Sequence, residues 1–226
     1  MWEYEHKISA RSRSLRLKIS ALGKLTVSTP PRVSTHQIQH FLDQHAPWIQ
    51  QHLALIQSRR AKVSHNSISI FGKFYQTSLE QTTTQPVGVQ IVEGKLQINA
   101  ATPLKSHQDA VAKKMTIRFL KRIATHYLSE RTTALAALMA TNFQKITLRE
   151  QTSRWGSCSS SGNLNFNWRL VHFPTNIIDY VIIHELAHRH HLNHSAAFWK
   201  VVAKFDPEYT KHRGWLNREA ANYLPE

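Results

Sequence analysis

The spacing of hydrophobic and polar positions changes period several times along the chain, and each change marks an element. Leu15, Leu17 and Ile19 alternate with Arg16 and Lys18, the period of two that suits a strand with one buried face. Ala21-Leu22-Gly23-Lys24 reads as a turn, and Leu25-Thr26-Val27 as the strand after it. Pro30-Pro31 closes this strand region. Ser34 followed three residues later by Gln37 has the spacing of a capping box, and Ile38, Phe41 and Leu42 behind it share one helical face. Pro47 suits the opening of a second helix, with Trp48, Ile49, Leu53 and Ile56 turned inward. Arg59-Arg60-Ala61-Lys62 ends it with the cations that a helix C-terminus favours.

The period then returns to two. Ser67–Phe71 and Phe74-Tyr75 flank Gly72-Lys73, and Val87–Val92 and Lys95–Ile98 flank the hairpin signal Glu93-Gly94, with the polar stretch Gln81–Gln85 between the two pairs. Residues 1–102 thus read as a small basic α+β domain without chemistry of its own, bounded by Thr102-Pro103. From about Ser106 to Ala140 the pattern is helical, with Val111, Met115, Phe119, Ile123, Tyr127 and Leu128 on the apolar face. Lys113, Lys114, Arg118, Lys121 and Arg122 crowd the other face. Phe143–Arg149 reads as a strand, Thr152–Gly162 as a turn rich in Ser and Gly, and Asn163–Leu170 as a strictly alternating strand. A helix starting at Pro174-Thr175, with Thr175 as N-cap, runs to about Leu192-Asn193.

That last helix carries the chemistry. His184-Glu185-Leu186-Ala187-His188 is an H-E-x-x-H motif, and residues four apart lie on one helical face. His184 and His188 can therefore face one ion, with Glu185 in reach of a water on it. A helix ending near Asn193 lets the chain fold back and offer His194, completing the three protein ligands of an open, catalytic site. Asp206, Glu208 and Glu219 are the carboxylate alternatives for the third ligand. The run Ile177–Ile183 is almost wholly apolar, so Glu185 sits in a buried helix and needs a partner or a task. The competing reading is a histidine-rich surface helix in a chain with 15 His; His190 and His191 are bystanders on either view.

The motifs Arg154-Trp155-Gly156-Ser157-Cys158, Asn163–Leu170, His184–His188, Asn193-His194-Ser195 and Phe198-Trp199 resemble, in order and spacing, the YgjP-like metallopeptidases. These are zincins similar to the SprT-like and WLM-type proteases. The resemblance implies an α+β zincin-like catalytic domain over residues 103–226, with a metal-binding helix beside a small sheet. It also implies Zn2+ held by His184, His188 and His194, and Glu185 as catalytic acid and base. In zincins a strand beside the metal helix takes the peptide as an added strand. The strand 163–170 or the one before it is the candidate, which makes Asn165 and Asn167 substrate-binding candidates. Arg154, Tyr209 and His212 are candidate donors for the tetrahedral oxyanion. Cys158 reads as a buried structural residue, with metal ligation and redox chemistry as alternatives.

Composition narrows the setting. One cysteine excludes an internal disulfide framework. No apolar run approaches the length of a membrane helix and the N-terminus lacks a signal-peptide core, so a cytoplasmic peptidase of protein or peptide substrates is expected. The formal charge of +15 adds polyanions as possible partners, through Arg11, Arg13 and Arg16 or through Lys113–Arg122. The alternatives to a plain peptidase are accordingly a protease of nucleic-acid-bound proteins, or a basic nucleic-acid-binding module with a structural metal. A solvated basic surface explains the same charge without any partner.

Overall fold

In the computed structural model, residues 2–10, 12–19, 23–61, 67–82, 87–103, 106, 109–151 and 154–225 are described, without the side chains of 55 and 57–61. Arg11, Ala21-Leu22, Thr152-Ser153, most of the polar stretch 81–85 and the side chains of Arg59–Lys62 therefore lie outside the described residues. The chain is α+β and forms two compact units. One comprises residues 1–64 with 217–222, the other 65–216 with 223–226.

In the first unit β1 (Glu5–Ile8), β2 (Arg16–Ile19) and β3 (Leu25–Thr29) form a sheet with β3 in the middle, parallel to β1 and antiparallel to β2. α1 (Thr35–Gln44) and α2 (Ala46–Ala61) follow. The Ser34 side chain accepts from the Gln37 N–H while the Gln37 side chain accepts from the Ser34 N–H, so the capping box forms in full. The alternate residues Leu25 and Val27 of β3 meet Ile38, Leu42 and Ile49 in the core. Trp48, expected inward, is instead 40% exposed and packs on His52 of its own helix, ring centres 4.1 Å apart. The neighbouring Ile49 fills the inward position completely.

The second unit begins with β4 (Ser67–Ile70), β5 (Lys73–Gln81), β6 (Gly88–Val92) and β7 (Lys95–Ala100), in the order β4-β5-β7-β6. Both hairpins turn on two residues with positive φ, Phe71-Gly72 and Glu93-Gly94. That is the handedness that suits the strand twist. Gly72 is needed twice over, since a Cβ there would also come within 2.9 Å of Pro174. α3 (Ala110–Leu138) packs on β6, on β7 and on the 3-10 turn Trp168–His172, while β4 packs on that same turn. The boundary expected at 102 therefore falls inside this unit, between a sheet and a helix that cover each other.

The third sheet joins β8 (Lys145–Arg149), β9 (Gly156–Cys158) and β10 (Asn163–Asn167) in the order β8-β10-β9. β10 is the middle strand, parallel to β8 and antiparallel to β9. It stops at Asn167, not Leu170, because the Asn167 side chain accepts the Arg169 N–H and opens the 3-10 turn. α4 (Thr175–Ala187), α5 (Ala196–Phe205) and most of α6 (Tyr209–Arg218) belong to this unit. Pro174, not Thr175, occupies the N-cap of α4, without a side-chain cap.

α3 buries Leu128 as expected, but the rest of its inward line lies one position away from the expected residues. Ala112, Thr116, Leu120, Ala124, Leu128, Thr132 and Leu135 lie inward, whereas Val111 is exposed and Met115, Phe119, Ile123 and Tyr127 are half-buried flanks. Ala112, Thr116, Ala124 and Thr132 on this line let neighbouring elements approach closely, while Leu120 and Leu128 fill between them and the half-buried flanks close the sides. Arg131 ties α3 to α4 by a two-pronged bond to Asp179, at 2.7 and 2.6 Å.

Candidate metal centre

α4 is apolar on every side. Ile177, Ile178, Val181, Ile182, Ile183, Leu186 and Ala187 are all buried, as befits a helix with packing all round it. It ends sooner than expected, at Ala187, with His188 as its C-cap. The next residues tighten the last turn, His190 N–H and His191 N–H both donating to the Ala187 carbonyl. Arg189 pins this turn to the third sheet's loops, donating to the carbonyls of Asn142 and Ser160. The early stop swings the chain round so that His194, just before the Ser195 N-cap of α5, returns to the end of α4.

The result is a cluster of His184, His188 and His194 whose ligand atoms all lie within 4.8 Å of one another. The Nε2 atoms of His184 and His194 are 3.0 Å apart. Two nitrogens bound to one tetrahedral zinc at 2.0–2.1 Å each stand roughly 3.3 Å apart, so the spacing fits a shared ion. His188 Nδ1 is 3.0 Å from the His191 carbonyl. Donating there fixes the tautomer and leaves Nε2 unprotonated, the usual outer support of a metal-bound histidine. His184 Nδ1, by contrast, is buried without a partner among the described residues. Its ring is held by packing, chiefly against Phe198 at 4.9 Å between ring centres. Phe198 is fully buried and lies within 5 Å of all three imidazoles, a floor beneath the cluster. Burial, helped by His188 and His194, pushes His184 down to about 3, and burial likewise lowers His188. Both are then neutral at ordinary pH, the state a metal requires.

Glu185 is buried beside the cluster, and burial pushes its carboxyl up to about 8 against the opposing pull of Arg154 and a hydrogen bond from the Cys158 N–H. A group poised near neutrality is suited to proton transfer. β9, read from the sequence as part of a turn, runs alongside α4 and supplies that N–H. It also explains a glycine. A Cβ on Gly156 would stand 2.5 Å from Glu185 Oε1 and 2.7 Å from its Cγ, so the carboxylate occupies the space a side chain would take.

The other expected site residues are dispersed. Arg154 is exposed but close enough to act on the Glu185 charge. Asn165 lies on the sheet, donating to Ser157 Oγ at 3.2 Å and accepting from Arg149 at 3.3 Å. The Asn167 amide is fully engaged, capping the 3-10 turn and donating to the Gln151 carbonyl at 2.6 Å. β10 pairs on both edges, so an added peptide strand has only β8 or β9 to join. Tyr209 stacks on Trp199 at 5.2 Å. His212 is held between Asp206 at 2.8 Å and Asn176 at 3.1 Å. Cys158 is half-buried, its thiol bonded to the Ser159 carbonyl and raised in pKa chiefly by burial, and it is not part of the histidine cluster.

Two residues without an assigned role reach the site. A pocket of about 330 Å³ beside the cluster is lined by Tyr180, His184, His194, Trp199 and Arg213. Tyr180 stands one helical turn before His184, a spacing that could have marked it; nothing in the sequence singles out Arg213.

A histidine cluster beside a buried glutamate has the makings of a metal-dependent hydrolase site. A family model described as YgjP-like, metallopeptidase domain matches residues 13–219, and the chain belongs to the YgjP-like metallopeptidase family. It is accordingly a metal-dependent peptidase. No curated protein compared with it matches. Among solved structures, the crystal structure of the metallopeptidase zymogen of Pyrococcus abyssi abylysin aligns at 18% identity with a TM-score of 0.38. That alignment covers 43% of this chain and 99% of the other, and a likeness of this size carries no weight for fold or chemistry. No helix among the described residues is long and apolar enough to cross a membrane.

Proposed function

We propose that the chain is a zinc-dependent, zincin-like peptidase in which His184, His188 and His194 hold the ion and Glu185 is the general base. The observation that carries this reading is the convergence of the three imidazole ligand atoms within 4.8 Å, next to a buried carboxylate. Three imidazoles without a thiolate suit zinc in its open, three-ligand form. A zinc held there would supply Lewis-acid polarisation of the scissile carbonyl and bring the pKa of a water it holds to about 7. Glu185 takes a proton from the attacking water and passes it to the leaving amine, so the two halves of the peptide bond gain OH and H. The Cys158 N–H and the gap at Gly156 keep that carboxylate in one position. Burial pushes Tyr180 up to about 12, so its hydroxyl stays protonated and is a donor on the His184 side of the pocket.

The test compares metal content and cleavage of an unfolded protein in wild type and Glu185→Gln. The variant keeps its metal and loses about 10²–10⁴-fold in rate, since the amide preserves shape but cannot accept the proton. Near wild-type turnover would remove Glu185 from the role. The reading as a nucleic-acid-binding module, or as a protease of nucleic-acid-bound proteins, has the +15 charge behind it. Lys113, Lys114, Arg118 and Arg122 are exposed along α3, but no further geometry among the described residues favours a polyanion.

A further inference from the structure

The pocket beside the histidine cluster carries a cation that forms no ion pair among the described residues. Arg213 lines it, exposed, and none of the ion pairs among the described residues includes it. Three acids of α4 and of the α5–α6 region have partners of their own. Asp206 is bonded to His212, Glu208 to Lys211, and Asp179 to Arg131. Glu185 points instead toward Gly156 and the Cys158 N–H.

The guanidinium also sits over an aromatic ring. It lies 5.1 Å from the centre of the Trp199 ring, and that ring stacks in turn on Tyr209 at an interplanar angle of 19°. A guanidinium laid on an aromatic face keeps its edge free, and that edge carries the paired N–H groups that match a carboxylate. His184 and His194 line the same pocket, so whatever Arg213 grips lies next to the bond being cut. Tyr180 adds a neutral hydroxyl to the wall. A lysine side chain would meet like charge here, and an aliphatic one would leave the guanidinium unanswered.

Resting on the metallopeptidase reading of this site, we infer that the pocket selects substrates by a carboxylate beside the scissile bond, held by Arg213. The carboxylate is either an Asp or Glu side chain or the C-terminus of the peptide. The two sources present the same chemistry and differ only in which substrate carries it.

The experiment uses the full-length, zinc-loaded protein and peptides identical except for Glu, Gln or Lys scanned through the positions around the cleavage point. Each peptide is made with a free and with an amidated C-terminus. Binding is read by calorimetry on Glu185→Gln, and cleavage on the unmodified protein. The carboxylate form should bind about tenfold or more tightly than its neutral isostere, as a charge-assisted pair implies. A preference for Glu over Gln assigns the side chain, and a preference for free acid over amide assigns the terminus. Adding Arg213→Gln should bring the forms to within about twofold at unchanged zinc content, and Arg213→Glu should turn the preference toward Lys. Equal binding of all forms by the parent protein overturns the inference. So does a preference that survives Arg213→Gln, or an equal loss on every peptide, which would make Arg213 a general transition-state donor. If no peptide is cleaved but the Arg213-dependent preference persists, the carboxylate site stands and the peptidase reading falls.

Discussion

His172 and the histidines at the end of α4 sit in one compact unit, and His172 and His188 each meet a backbone carbonyl, but the two regions differ in where their ring nitrogens point. His172 lies at the junction of β4 with the 3-10 turn, fully buried. Its Nδ1 is 2.7 Å from the Ser69 carbonyl, the Ser69 hydroxyl donates to the His172 carbonyl at 2.7 Å, and its Nε2 has no partner among the described residues. Burial pushes it down to about 4. It is a neutral wedge between two backbone segments. His184, His188 and His194 are half-buried or exposed, and their nitrogens converge on one point. Burial lowers His172, His184 and His188 alike, so a depressed pKa does not separate the two regions. Convergence of the ring nitrogens does.

The sharpest way to break the comparison is to remove rings from each side. His184→Ala/His188→Ala should lower zinc from one per chain to background in metal analysis of the purified protein, while His172→Phe leaves zinc at one per chain. Undiminished zinc in the double variant would refute the ligand assignment.

Acid stability should separate them next. The folded His172 has a pKa of about 4 against an ordinary 6.5, so between these values the unfolded chain binds a proton that the folded one refuses. Stability is therefore full above pH 6.5 and is lost as pH falls toward 4, by up to about 3 kcal/mol from this group. His184 and His188, also depressed, act in the same direction. The contribution of His172 is then the difference between wild type and His172→Phe in denaturant unfolding at pH 7 and pH 4.5. Parallel pH dependences in the two proteins would mean that His172 is not the titrating group.

The smallest change concerns the gap beside Glu185. Gly156→Ala introduces a Cβ where the carboxylate sits, and the edge strand β9 must shift or Glu185 must turn. Turnover should fall about tenfold or more, as proton transfer from a displaced base implies, with zinc content unchanged. A shifted pH–rate profile would distinguish displacement of the base from simple loss of folded protein. Unchanged turnover would mean that the close approach does not hold the base.

Local rules account for much of the fold. The capping box at Ser34, the positive-φ turn at Glu93-Gly94 and the alternation Leu164, Phe166 were legible because each depends on residues a few positions apart. So was the H-E-x-x-H pair, whose four-residue spacing sets a common face before anything else folds. Where the chain left those rules, distant partners decided. The inward line of α3 took Ala112, Thr116 and Ala124 together with Leu120 and Leu128, and left Met115, Phe119 and Ile123 at its flanks, because close packing rewards small side chains at a crossing. β10 ended at Asn167 once its amide found the Arg169 N–H and the Gln151 carbonyl. α4 stopped at Ala187, and Arg189 anchored the turn to Asn142 and Ser160, some thirty to fifty residues earlier in the chain. The meeting of β9 with Glu185, and of Arg213 with Trp199 beside His184, likewise joins segments whose separation no periodicity encodes. Composition and spacing dictated the helix, its two histidines and the glutamate between them. The early stop that brings His194 back, the clearance at Gly156 and the placement of Arg213 in the pocket came from packing, since each depends on contacts that exist after the core has closed.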